Sequence, residues 1–108
     1  MDYFELLFSL RTKKEELEKD LEAYLLKMSN LKKGTLFKKD NYYYIKYYED
    51  GKTISSYVGK DLSLDEINKI QHELDSYKTF KLRMSSTQKE LKEVNKLIEK
   101  YERKQNGH

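Results

Sequence analysis

Apolar residues recur along the first third of the chain at Tyr3, Leu7, Leu10, Leu17, Leu21, Tyr24, Met28 and Leu31, in alternating steps of four and three, with Lys14 filling the single gap. That spacing is an a/d heptad seam and predicts a helix over residues 2–32. Asp2 followed by Glu5 forms a capping box at its start. Gly34, after the basic pair Lys32-Lys33, is the expected left-handed stop.

A second seam runs through Ile67, Ile70, Leu74, Tyr77, Phe80, Met84, Thr87, Leu91, Val94, Ile98 and Tyr101. It predicts a helix over 64–104, about 60 Å long at 1.5 Å per residue, with a tail at 105–108. Ser63 is placed as its N-cap, with Glu66 at the third helical position and Leu62 and Ile67 spaced as a hydrophobic staple. Two successive three-residue steps at Phe80 predict a register slip. Ser85, Ser86 and Thr87 are the weakest helix formers in its middle and the expected point of any break.

Run antiparallel, the seams match. Tyr3 then meets Ile98, Leu7 meets Val94, Leu10 meets Leu91 and Leu17 meets Met84, while the polar defects Lys14 and Thr87 fall opposite each other. The expectation is a two-helix coiled-coil hairpin, each buried seam residue contributing about 1.5–3 kcal/mol. Phe4, Leu6, Phe8 and Leu97 are left off the seam. With Tyr101 they form a candidate interface, for which a homodimer is the default. Leu25 and Leu26 are expected to pack under the intervening segment.

That segment, Gly34 to Lys60, changes period from helical to alternating. Strands are predicted at 35–39, 42–48 and 53–58, joined by two-residue turns at Asp40-Asn41 and Asp50-Gly51. The turns set the register: Ile45 opposes Leu36 and Ser56, Tyr47 opposes Ile54, and Tyr43 opposes Val58. Leu36, Tyr43, Ile45, Tyr47, Ile54 and Val58 then share the face toward the helices. Phe37, Lys39, Tyr42, Tyr44, Lys46, Tyr48, Thr53, Ser55 and Tyr57 share the other face, with no acid among them. Lys38 has inner parity, but its head group is near enough to the turn to reach the edge. The fold class is α+β: one domain, 1–108, with a three-stranded antiparallel sheet at 35–58 inserted between the helices.

Composition narrows the function classes. The chain is 108 residues, 37% hydrophobic and 38% charged, which suits long helices packed along narrow seams better than a thick core. Proline and cysteine are absent, so the helices meet no proline break and no disulfide or cysteine metal site can form. This fits a cytoplasmic location. No apolar run spans a membrane, and the acidic start MDYFELLF is no signal peptide. Net charge is +3, unevenly spread: −2 over residues 1–31, +3 over 32–61 and +2 over 62–108.

No catalytic set emerges. His72 has no second histidine at ligand spacing, His108 lies at the end of the chain, and Glu73 and Asp75 read as a solvated helix face. None of Gly34, Gly51, Gly59 and Gly107 opens a phosphate loop. The sequence predicts no enzyme, no cofactor and no metal.

The outer sheet face suits nucleic acid: tyrosines stack on bases, lysines displace counterions from phosphates, and hydroxyls donate to phosphate or base edges. The candidate contacts are Phe37, Lys39, Tyr42, Tyr44, Lys46, Tyr48, Ser55 and Tyr57. The pattern G-x-L-x-K, Y-Y-Y, Y-x-x-D-G-K, Y-V-G-K resembles the small basic three-stranded sheets of phage-type tyrosine integrases and of some transposase N-termini. It is also similar to small bacterial and phage proteins with a sheet followed by a coiled coil. The resemblance covers residues 34–60. It implies DNA binding, with DNA favoured over RNA, through Lys39, Tyr44, Lys46 and Tyr57. The helical hairpin departs from the integrase pattern and no recombinase domain follows, so the implied role is accessory or regulatory. A tyrosine-rich face also serves protein partners, and the alternative is an inhibitor or adaptor acting on a host nucleic-acid enzyme, as anti-CRISPR proteins do.

Overall fold

The computed structural model describes residues 2–105, so the expected tail beyond Gln105, with His108, lies outside the described residues. The fold is α+β, in the order α1 (Tyr3–Ser29), β1 (Thr35–Lys39), β2 (Tyr42–Glu49), β3 (Lys52–Lys60), α2 (Leu64–Gln105). The residues gather into two compact units. One is built from the segments up to Leu26 and from Lys81 onward, the other from Lys27–Phe80.

In the helix-pair unit, α1 starts on its cap: the Glu5 amide donates to Asp2 Oδ1 at 2.8 Å, satisfying one of the orphan N–H groups of the first turn. Leu7, Leu17, Val94 and Ile98 form the buried core, with Leu10, Leu91 and Tyr101 packed against it. Lys14 and Thr87, the polar seam positions, are half-buried. The antiparallel sense is fixed by cross-helix contacts: Tyr3 lies against Tyr101 with ring centroids 5.6 Å apart, and Lys13 pairs with Glu90 at 3.6 Å. The ring that Tyr3 touches is one helical step beyond Ile98, its expected partner. The helix continues unbroken through Ser85, Ser86 and Thr87. Propensity favours a break there only weakly, and neighbouring leucine, lysine and glutamate residues outweigh it.

In the sheet unit, α1 ends at Ser29, three residues short of the predicted 32. The reason is a tightened last turn, in which the Asn30 and Leu31 amides bond the carbonyls of Lys27 and Met28, three residues back. The Lys32 amide then donates to Glu73 Oε1 at 2.9 Å instead of continuing the helix. Gly34 is therefore not the helix stop. Its φ of 122° carries the chain past β2, where an added Cβ would stand 2.4 Å from the Lys46 carbonyl oxygen. α2 opens with the predicted box: the Glu66 amide donates to Ser63 Oγ at 3.2 Å, and that hydroxyl donates to Glu66 Oε1 at 3.1 Å.

The strands form an antiparallel meander in the order β1-β2-β3. Asp50 (φ 51°) and Gly51 (φ 74°) both adopt the left-handed conformation that a type I′ turn requires, and Asp40 does so at the other turn. Leu36↔Ile45, Ile45↔Ser56 and Tyr47↔Ile54 pair as expected. Tyr43 does not pair with Val58. It faces Gly59, because Val58 is the extra residue of a β-bulge between the Tyr43 and Tyr44 pairings. The bulge lengthens β3 to Lys60, and the Asp61 amide closes the ladder on the Asn41 carbonyl at 2.9 Å. The inner face is covered as predicted, with Ile45 buried and Leu36, Tyr43, Tyr47, Ile54 and Val58 half-buried. Met28 and Leu74 are the other buried residues of this unit.

Candidate nucleic-acid interface

The pleat and the register sort the outer face into cross-strand rows about 7 Å apart along the strands. The first row is Lys39, Tyr42 and Lys60. The second is Phe37, Tyr44 and Tyr57, the third Thr35, Lys46 and Ser55, and the fourth Tyr48 with Thr53. Aromatic and cationic positions thus alternate, and no carboxylate lies in any row.

The second row holds itself together. Phe37 and Tyr44 stack with centroids 5.3 Å apart and planes 19° from parallel, and Tyr57 tilts against Tyr44 at 5.7 Å. Tyr42 meets Tyr57 diagonally at 6.3 Å, giving one aromatic surface across all three strands. Phe37 and Tyr44 are half-buried within it. Tyr57, 56% exposed, and Tyr48, 69% exposed, offer the most open rings. Tyr44 is therefore a supporting ring more than a free stacking platform, which alters the role given to it by sequence alone. Lys46 stands exposed between the hydroxyls of Thr35 and Ser55.

Sequence reasoning missed Lys60. Strict alternation from Tyr57 puts it on the inner face, but the bulge restores it to the outer face, where its ammonium lies 5.4 Å from the Tyr42 ring centroid. The only available signal was Gly59, a residue that often marks bulges in strands. Lys38 does not reach round. Its ammonium sits 5.7 Å from the Tyr43 ring centroid, on the inner side. The opposite face carries a cleft of about 360 Å³ lined by Lys33, Tyr47, Glu49 and Val58 among others, with the Lys33 ammonium 5.6 Å from the Tyr47 ring centroid.

The candidate interface residues of the helix pair are not one patch. Arg11 bonds Glu102 at 2.9 Å on one flank, and Lys13 pairs with Glu90 on the other. Phe4 lies seven residues before Arg11, so Phe4, with Phe8 one turn on, shares the Arg11–Glu102 flank. Leu6 and Leu97 lie seven residues from Lys13 and Glu90 and share the opposite flank. Tyr101 belongs to the core. Leu25 and Leu26 are exposed, at 55% and 69%, rather than buried as expected, because they lie off the seam between Tyr24 and the buried Met28. Leu82 is exposed as well, although the sequence reading did not single it out.

Among the described residues, no three of His, Cys, Asp and Glu gather closely enough to hold a metal ion, and no helix is long and apolar enough to cross a membrane. The site is thus an open aromatic and lysine-bearing face of a three-stranded sheet bracketed in sequence by two helices. The model of a family described as a domain of unknown function, DUF6788, matches residues 9–69, more than half of the chain, and the chain belongs to that family. The matched span takes in all three strands. No curated protein and no solved structure matches it.

Proposed function

We propose that the chain is a non-enzymatic nucleic-acid-binding protein, acting in the cytoplasm as an accessory or regulatory factor of a phage or mobile element. The observation that carries this reading is the outer sheet face, where exposed Tyr42, Tyr48 and Tyr57 interleave with Lys39, Lys46 and Lys60 and no carboxylate intervenes. The lysines meet phosphates and supply the salt-dependent part of affinity. The open rings stack on bases, Phe37 and Tyr44 brace them from within the row, and Ser55 donates to phosphate or a base edge.

Fluorescence anisotropy with single-stranded and duplex DNA and RNA, at two salt concentrations, tests the reading. Lys46→Glu is expected to weaken binding to every sequence and to lower the salt slope by about 1 or more. Tyr57→Ala is expected to cost about 1–3 kcal/mol of binding free energy, the worth of one stacked base. Both side chains are exposed, so thermal unfolding should stay close to wild type. If the wild type binds none of these ligands at micromolar protein in low salt, the reading fails, and the same face becomes a candidate protein-binding surface.

A further inference from the structure

Phe4 and Phe8 are 69% and 67% exposed on the flank of the helix pair that carries the Arg11–Glu102 ion pair. Beyond them on the same flank, α1 presents Glu15, Glu18 and Glu22. Gln88, Asn95 and Glu102 recur at seven-residue spacing, so this is also the flank of α2 that holds a groove of about 450 Å³ lined by Gln88, Leu91, Lys92, Asn95, Lys96 and Glu99. The contacts of Tyr3 with Tyr101 and of Lys13 with Glu90 set the levels along the pair, and between them Phe8 comes level with Asn95 and Lys96, in the middle of that groove. Over the levels of Glu15 to Glu22, this side of α2 carries Lys81, Ser85 and Gln88 and no carboxylate, and Lys92 follows one turn beyond the level of Glu15.

We propose that this flank is the interface of a twofold homodimer. An axis parallel to the helices sets α1 of each copy onto α2 of the other at the same level, so that every neighbouring pair of helices in the four-helix bundle is antiparallel. Phe8 of each copy enters the groove of the other over the half-buried Leu91. The acidic run of α1 lies along a stretch of the partner's α2 that has no carboxylate and is flanked by lysines, with Glu22 level with Lys81 and Glu15 a turn from Lys92. A parallel α1-on-α1 arrangement would instead set Glu15, Glu18 and Glu22 against their own copies. Each copy supplies one knob and one groove on the same flank, so the contact closes at two copies and leaves no unsatisfied site for a third.

Sedimentation equilibrium from low to high micromolar concentration, with circular dichroism on each variant, tests this. The wild type is expected to be a dimer. Phe8→Asp is expected to be monomeric with unchanged helicity, since the ring is exposed within one copy. Glu22→Lys and Lys81→Glu should each raise the dimer dissociation constant about tenfold, the cost of turning a close attraction into repulsion, and the double variant should return to near the wild-type value. A wild type that remains monomeric throughout overturns the proposal. So does a Phe8→Asp protein that stays dimeric, or a double variant that dissociates more than either single one.

Discussion

Gly34→Ala is expected to destabilise the protein by about 2–6 kcal/mol, combining about 1–3 kcal/mol of backbone strain with a similar amount for overpacking. Gly34 has φ 122°, a region that a side chain rarely tolerates. Its new Cβ would also stand 2.4 Å from the Lys46 carbonyl oxygen and 2.9 Å from Ile45 Cγ2. The oxygen belongs to the ladder of β2 and Ile45 is buried, so neither neighbour can withdraw without loosening the sheet. Gly51 is the control. It has φ 74° with nothing within 4 Å of an added Cβ. Gly51→Ala therefore isolates the strain, about 1–2 kcal/mol. Urea denaturation of the two variants separates the effects, and equal losses would show that the approach of β2 to Gly34 carries no energetic weight.

The second large effect belongs to the helix pair. Leu7 is 1% exposed at the centre of a core that includes Leu17, Val94 and Ile98. Leu7→Ala removes buried methyl groups and leaves a cavity between two helices that can close only by shifting along each other, at a cost of about 3–5 kcal/mol. Leu82→Ala removes the same atoms from a side chain that is 73% exposed, and its expected cost is within about 0.5 kcal/mol. Chemical denaturation followed by circular dichroism reads both. A loss below about 1 kcal/mol at Leu7 would contradict the packing of the pair.

The elements were legible because each rests on a short-range rule. The heptad steps placed both helices, Ser63 and Glu66 located the start of α2 to the residue, and Asp50-Gly51 fixed a turn that in turn fixed the pairing of Tyr47 with Ile54. What was missed depends on distant atoms. α1 stops at Ser29 in a tightened turn, after which the Lys32 amide takes its acceptor from Glu73, forty-one residues away. Leu25 and Leu26 read as core material by hydrophobicity alone, yet they lie between seam positions and face outward. Spacing put Leu6 on a different side of α1 from Phe4 and Phe8, but all three and Leu97 were expected in one interface, whereas the two ion pairs place Leu6 and Leu97 on the flank opposite the phenylalanines.

The candidate face was legible to the extent that alternation holds. Every one of its positions in β1 and β2 follows from parity, and so do Thr53, Ser55 and Tyr57 in β3. Parity fails after Tyr57, where the backbone takes an extra residue; Gly59 hints at the irregularity, and the pairing itself settles on which side Lys60 emerges. Nor could spacing show that Phe37 clamps Tyr44, leaving Tyr57 as the more open ring.

The extra residue in β3 has a bearing on how such a face changes over time. Most surfaces gain or lose a cation by exchanging one side chain for another. Here the number of residues between Tyr57 and Lys60 decides whether an unaltered lysine belongs to the face at all, because a three-residue advance lands on the outer side only when one of the steps is absorbed by the bulge. The electrostatic character of the sheet is therefore encoded partly in chain length. A codon gained or lost in this strand can recharge one surface while leaving the amino-acid composition almost untouched, and a column-by-column comparison of relatives that ignores such gaps would assign their lysines to the wrong side.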